Sequence, residues 1–227
     1  MSDNDAVPEL VIFDCDGVLV DSEGISNGVL ARALTAAGLP TSTAEAIHEY
    51  KGLLLREVVE KAEARLGAPL PDGFVENYER DRIAEFKRRL EPVAGAAATV
   101  ASLRGAGVSV CVASQGKLEK TELTLRLTGL RDLFGADALF SAYSVPRGKP
   151  HPDLFLHAAA TMHADPDRCV VVEDTTIGVL AARAAGMRVF GYAADSDEAA
   201  LRAAGAEVLW SLTELPKLLG LPEPAAG

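Results

Sequence analysis

Three apolar runs of this chain end alike, with polar side chains directly after the last hydrophobic residue. Leu10-Val11-Ile12-Phe13 is followed by Asp14-Cys15-Asp16-Gly17, Val110-Cys111-Val112-Ala113 by Ser114-Gln115-Gly116, and Val170-Val171-Val172 by Glu173-Asp174-Thr175. Lys149, in Arg147-Gly148-Lys149-Pro150, comes after another short apolar segment. Brought together, these groups include four carboxylates, the Ser114 hydroxyl and the Lys149 ammonium beside glycine-relaxed turns. Crowded acids repel one another, so the cluster calls for a hard divalent cation, and magnesium, which takes carboxylate, carbonyl and water oxygens, fits. The histidines, at 48, 151, 157 and 163, have no cysteine spacing that suggests zinc. Singly, each piece has a plainer reading: Asp-x-Asp-Gly a turn, Glu173-Asp174 or Ser114 a cap, Lys149 a solvated loop residue. Their ordered recurrence at the ends of apolar runs argues for one site.

A parallel sheet would position them. Short β-branched runs alternate with longer alanine- and leucine-rich amphipathic stretches, the pattern of an α/β fold. The strand candidates are Leu10 to Phe13, Val108 to Ala113, Ala138 to Phe140, Val170 to Val172, Val189 to Tyr192 and Val208 to Trp210. Most are apolar on both faces, as suits strands covered by helices on each side. In such a Rossmann-like, doubly wound sheet the carboxyl ends of the strands share one edge and form a crevice there. The gap between the first two strands exceeds ninety residues, far more than a simple crossover needs. From about Ile25 to Leu90 it reads as helices and turns, returning at Glu91-Pro92-Val93-Ala94-Gly95. The expected division is an α/β core of residues 1–22 and 91–227 with an inserted helical cap of 23–90. The tail from Leu221 to Gly227 is expected to fray.

Composition narrows the partners. The 227 residues are 48% hydrophobic and 24% charged, an ordinary globular balance, and 33 acids against 22 bases give a net charge of -11. With an acidic net charge and no basic run longer than Lys87-Arg88-Arg89, nucleic acid and anionic membrane surfaces are poor partners. The apolar runs stop far short of the roughly 20 residues a bilayer span requires. The acidic N-terminus lacks the basic-then-apolar order of a signal peptide, so a cytoplasmic monomer acting on a small molecule is expected. Cys15, Cys111 and Cys169 form no CxxC pair and read as reduced core thiols.

These residues make the chain resemble the haloacid dehalogenase-like hydrolase superfamily, in the helical-cap branch of the β-phosphoglucomutases and phosphogluconate phosphatases. The resemblance is carried by FDCDGVLVDSE at 13–23, VASQG at 112–116, GKPHPDLF at 148–155 and VVEDTTIGVLAARAAGM at 171–187. It implies that Asp14 is the nucleophile, taking the phosphoryl group as an aspartyl phosphate, and that Asp16 is the acid that protonates the leaving oxygen and then the base that activates water. It implies a magnesium ion held by Asp14, Asp174 and the backbone carbonyl of Asp16, with Glu173 acting through a bound water. Ser114 and the amides after Asp14 and Ser114 would grip phosphate oxygens, and Lys149 would neutralise charge. Both aspartates must reach one phosphate, so the strand should end at Asp14 and the chain turn at Asp16-Gly17. They also need opposite protonation states.

Dehalogenases and phosphonate-cleaving members resemble this chain but lack an acid at the position of Asp16, which points to phosphate esters. Sugar-phosphate mutases of the branch typically carry a histidine where this chain has Ser26, and Asp21-Ser22-Glu23 looks more like the phosphatases. After Ser114 the family usually has asparagine; here Gln115 offers its backbone amide to phosphate. In the cap, Lys51-Gly52-Leu53-Leu54-Leu55-Arg56 resembles a substrate-specificity loop, so Lys51 and Arg56 are expected to meet the substrate's hydroxyls, carboxylate or second phosphate. His48 reads as a surface helix residue and His151 as shaping the Lys149 loop. The resulting expectation is a magnesium-dependent phosphatase for small phosphorylated metabolites, with sugar or sugar-acid phosphates favoured. Its rivals are a β-phosphoglucomutase-like isomerase and a non-catalytic metabolite-binding protein.

Overall fold

The computed structural model describes residues 7–221. Its strands are β1 (Leu10–Phe13), β2 (Ser109–Ser114), β3 (Leu139–Ser141), β4 (Cys169–Glu173), β5 (Arg188–Tyr192) and β6 (Glu207–Leu209). They form one parallel sheet in the order β3-β2-β1-β4-β5-β6. Every residue of β1 and β4 is buried, the consequence of covering both faces with helices. Phe13 lies level with Val112 on one side and Val172 on the other. The winding direction reverses about β1, and a crevice opens at the carboxyl edge there.

Four helices intervene between β1 and β2: α1 (Glu23–Ala36), α2 (Thr43–Tyr50), α3 (Leu55–Leu66) and α4 (Phe74–Arg89). They enclose an apolar cluster of their own, including Val29, Leu34, Ala46, Tyr50, Val58 and Tyr78. A reciprocal cap between Ser42 and Glu45 opens α2. The two connections to this helical insert are tied side by side, Val93 N donating to Leu19 O at 2.9 Å and Asp21 N to Glu91 O at 3.0 Å. Ile25, Leu54 and Phe86 leave the insert's own cluster and join the main core, so the insert rests on the sheet edge. The remaining helices are α5 (Ala96–Gly105), α6 (Leu118–Leu127), α7 (Asp153–Thr161), α8 (Thr176–Ala184), α9 (Glu198–Ala203) and α10 (Leu215–Leu218).

β1 matches its sequence-based range, and the other strands differ from theirs by one residue at most ends. Pairing sets these limits where hydrophobicity alone had suggested others. Ser114 and Glu173 are polar yet remain in the ladders opposite Ser141 and Gly191, whereas Trp210 falls outside β6 and is 53% exposed. Of the tail expected to fray, Leu221 is buried against the core, and residues 222–227 lie outside the described part. Cys15, Cys111 and Cys169 are buried free thiols. Among the described residues, no helix is long and apolar enough to cross a membrane.

Candidate active site

β1 delivers Asp14 to the carboxyl edge, where its amide still donates to Val172 O at 2.9 Å. The chain then turns tightly: Leu19 and Val20 both donate to Cys15 O at 3.0 Å, and Gly17 N donates to Val20 O at 2.9 Å. Gly17 takes φ +76°, and a Cβ there would lie 2.2 Å from Asp174 Oδ2, so only glycine lets this turn pass the Asp174 carboxylate. β2 ends in the fully buried Ser114, whose Oγ accepts from Gly116 N at 3.0 Å. β4 delivers Glu173 and Asp174 just before α8, which Thr175 caps by accepting from Gly178 N at 3.1 Å.

Lys149 reaches this edge from the loop before α7 and is 3% exposed. Its Nζ donates to Asp14 Oδ1 and Glu173 Oε1, both at 2.6 Å, and to Ala113 O at 3.1 Å, so the ammonium's donors are all used. Glu173 turns its other oxygen to the chain, Oε2 accepting from Asp174 N, Thr175 N and Thr175 Oγ1 at 2.8 to 2.9 Å. In this arrangement Glu173 holds Lys149 and the turn into α8. Gln115 acts through its side chain, for which sequence gave no role: Oε1 accepts from Lys149 N at 2.9 Å, and Nε2 donates to Gly52 O of the helical insert at 3.3 Å. His151 N donates to Gly148 O at 3.0 Å within the same loop, and His48 is exposed on α2.

The buried charges shape one another. Burial pushes the Asp14 carboxyl up to about 8 against the pull of Lys149, and neighbouring carboxylates add to the rise. Burial likewise raises Asp174 to about 7 against Lys51. Asp16 moves the other way: burial would raise it, but Lys120 and the Ser22 hydroxyl, both hydrogen-bonded to Oδ1, hold it below the usual range. Lys149 is disfavoured by burial, yet Asp14 and Glu173 hold its charge firmly above the ordinary lysine range. The second Asp174 oxygen, Oδ1, is buried without a hydrogen-bond partner.

The insert roofs this edge and closes a crevice of about 130 Å³. Lys51 Nζ lies 2.7 Å from Asp174 Oδ2 and donates to Ser196 Oγ at 2.9 Å, bridging insert and core instead of projecting free toward a substrate. Arg56 is not brought to the crevice. Leu55 and Val58 turn inward to line it, and one further residue rotates a helix by about 100°, which carries Arg56 to the solvent side of α3. Residues given no site role in sequence line it as well. Glu23, with Asn27 Nδ2 donating to it at 2.9 Å, stands at the start of α1; Lys117 pairs with Glu79 of α4 at 2.8 Å; Lys120 holds Asp16; and Arg82 faces the crevice from α4. Position in the first turns of helices that follow site strands was the available signal for Glu23 and Lys120. Arg82 had none.

Asp14, Asp174 and the Asp16 turn form a hard-oxygen donor set. No three His, Cys, Asp or Glu side chains among the described residues converge as a ready-made cage. A magnesium site with few protein ligands, completed by carbonyl, water and phosphate oxygens, needs only two.

Comparison with known proteins agrees with this geometry. The family described as haloacid dehalogenase-like hydrolase, a hydrolase group, matches residues 8–186. The chain is 31% identical over 211 residues to 6-phosphogluconate phosphatase of Escherichia coli strain K12, covering 92% of this chain and 94% of that one. It is 34% identical over 207 residues to hexitol phosphatase B of the same strain, covering 90% and 92%. A crystal structure of a HAD family hydrolase from Deinococcus radiodurans R1, with bound phosphate and sodium, superposes with a TM-score of 0.79 at 35% identity, covering 97% of this chain and all of that one.

Proposed function

The chain belongs to the haloacid dehalogenase-like hydrolases and is a phosphoric monoester hydrolase, and on that footing we propose that it removes phosphate from sugar or sugar-acid phosphates by way of an aspartyl phosphate on Asp14. The observation that carries this reading is the meeting of Asp14, Asp16 and Lys149 in one roofed crevice at the carboxyl edge of the sheet. In it, the Asp14 carboxylate attacks phosphorus in line with the ester oxygen, the P–O ester bond breaks, and Asp16 gives its proton to the departing alkoxide. Asp16, now ionised, takes a proton from the water that attacks the aspartyl phosphate, which frees inorganic phosphate and restores Asp14. Ser114 and the amides after Asp14 and Ser114 bind the phosphoryl oxygens, and Lys149 offsets their charge.

The donor set suits a magnesium ion. Asp174 Oδ1 is a buried oxygen without a hydrogen-bond partner, and Gly17, where a Cβ would clash with Asp174 Oδ2, lets the Asp16-Gly17 turn pack directly against that carboxylate. Asp14, Asp174 and the Asp16 carbonyl would hold the ion, which when bound supplies a Lewis acid that neutralises phosphate charge. Without a cation, burial favours the neutral form of Asp14, while Lys120 and the Ser22 hydroxyl favour the ionised form of Asp16, the opposite of the forms the reaction uses. Positive charge between Asp14 and Asp174 favours both carboxylates, and a substrate dianion facing Asp16 favours its acid form, so loading the site sets the working states.

Support for sugar substrates comes from the two phosphatase relatives and from Glu23 and Asn27, polar groups of the crevice wall able to meet hydroxyls. A panel of sugar phosphates assayed for inorganic phosphate, with and without magnesium, tests the reading. Phosphate release that stops on chelation and returns with magnesium is expected, and Asp14→Asn should lower it by several orders of magnitude. Isomerised sugar with little phosphate would instead indicate a mutase, and binding without either product a non-catalytic protein.

A further inference from the structure

Five basic side chains line the crevice, and four of them are already committed to carboxylates: Lys149 to Asp14 and Glu173, Lys51 to Asp174, Lys120 to Asp16 and Lys117 to Glu79. Arg82 is the exception among the described residues. Tyr78, Arg82 and Phe86 follow one another at four-residue steps along a single face of α4. The Arg82 guanidinium lies 4.9 Å from the Tyr78 ring centroid and 6.0 Å from that of Phe86, and its Nη1 makes a long 3.4 Å contact with the Tyr78 hydroxyl. Its Nε is buried with no acceptor. Aromatic faces hold a guanidinium in position without consuming its hydrogen-bonding edge. That edge is a planar fork matched to a carboxylate or a phosphate. Arg82 and Asp16, the residue assigned to the leaving-group oxygen, line the same crevice.

We propose that Arg82 is a specificity-determining residue that binds a second anionic group on the alcohol part of the substrate, so that the preferred esters carry a carboxylate or a second phosphate in addition to the one removed. The inference rests on the phosphatase reading above and narrows it from sugar phosphates at large to doubly anionic ones. A neutral alcohol leaves the fork unfilled and the buried Nε without an acceptor. Of the two cations that the family resemblance suggested for this task, Lys51 is held by Asp174 and Arg56 faces solvent.

The test compares 6-phosphogluconate, a sugar bisphosphate and a hexitol phosphate as substrates of the full-length, magnesium-loaded enzyme. Wild-type kcat/KM is expected to favour one or both doubly anionic esters over the hexitol phosphate by roughly 10- to 100-fold, the range set by a charge-assisted hydrogen bond. Which of the two is favoured identifies the second anion as carboxylate or phosphate. Arg82→Gln should collapse that preference to within about threefold, and Arg82→Lys, which keeps the charge and loses the fork, should restore part of it. A measurement free of variants runs alongside: if the carboxylate is the anion, gluconate should inhibit the wild-type enzyme at roughly tenfold lower concentration than the hexitol; if the phosphate, the dephosphorylated sugar monophosphate should do so. Equal efficiency on neutral and doubly anionic esters, or an Arg82→Gln loss of the same size on all three, would overturn the assignment while leaving the phosphatase reading intact. Failure to hydrolyse any of the three would overturn both.

Discussion

Lys149→Met removes the one ammonium that serves two buried carboxylates. Methionine keeps most of the side-chain volume, including the packing near Phe155, whose ring centroid lies 5.1 Å from Nζ. What disappears are the hydrogen bonds to Asp14, Glu173 and Ala113 O. Glu173 keeps three donors from its own turn, and Asp14 can take up a proton, so the loss stays below the full cost of stranding two charges. Breaking a buried pair by deleting one partner costs about 3–5 kcal/mol. At about 2–4 °C per kcal/mol for a chain of this size, the melting temperature should fall by roughly 6–20 °C. Turnover should fall by at least about 100-fold, because the nearby positive charge proposed to offset the phosphoryl oxygens is lost as well. Thermal melts and phosphate release from the same preparations check both numbers. Adding Glu173→Gln separates them: the double variant should regain part of the melting temperature, since one of the stranded charges is gone, and none of the activity. A single variant that melts within about 2 °C of wild type and retains more than a third of its rate would refute the reasoning.

Other outcomes follow from the same geometry. Gly17→Ala should weaken magnesium binding at least about tenfold by calorimetry and lower the melting temperature, because the new methyl would meet Asp174 Oδ2 at 2.2 Å in a backbone conformation that disfavours alanine. Stability of the metal-free protein should fall as pH rises from 5.5 to 8.5: Asp14, pushed up to about 8, and Asp174, pushed up to about 7, bind their protons more tightly folded than unfolded, so their contribution is whole below about pH 4 and is lost through about pH 7 to 8. Asp16 stays ionised across that window, so magnesium should raise the melting temperature more at pH 8.5 than at pH 5.5, and an equal rise at both would count against these assignments. Arg56→Ala should change kcat/KM by less than about twofold on every ester, whereas Lys51→Ala, which cuts the bridge from the insert to Asp174 and Ser196, should lower it at least about tenfold.

Much of this was legible along the chain. Parallel strands buried on both faces have to be written as short apolar runs, and a chain that turns at the end of such a run exposes whatever residue comes next. Asp14, Ser114 and Glu173 could therefore be assigned to one edge before any coordinates, and the long interval after Phe13 could be assigned to an insert. The tertiary structure alone decided who meets whom across that edge. Lys51 and Asp174 are joined at 2.7 Å although 123 positions separate them, Lys120 closes on Asp16, and Gln115 clamps the Lys149 loop. Sequence singled out Arg56 and passed over Arg82, yet the first faces water and the second the crevice. The reason is physical: hydrophobic period determines which face of an element is buried, a local property, whereas an ion pair depends on the rotation of each helix and on how the insert sits over the sheet, which is set by the packing of Ile25, Leu54 and Phe86 against the core.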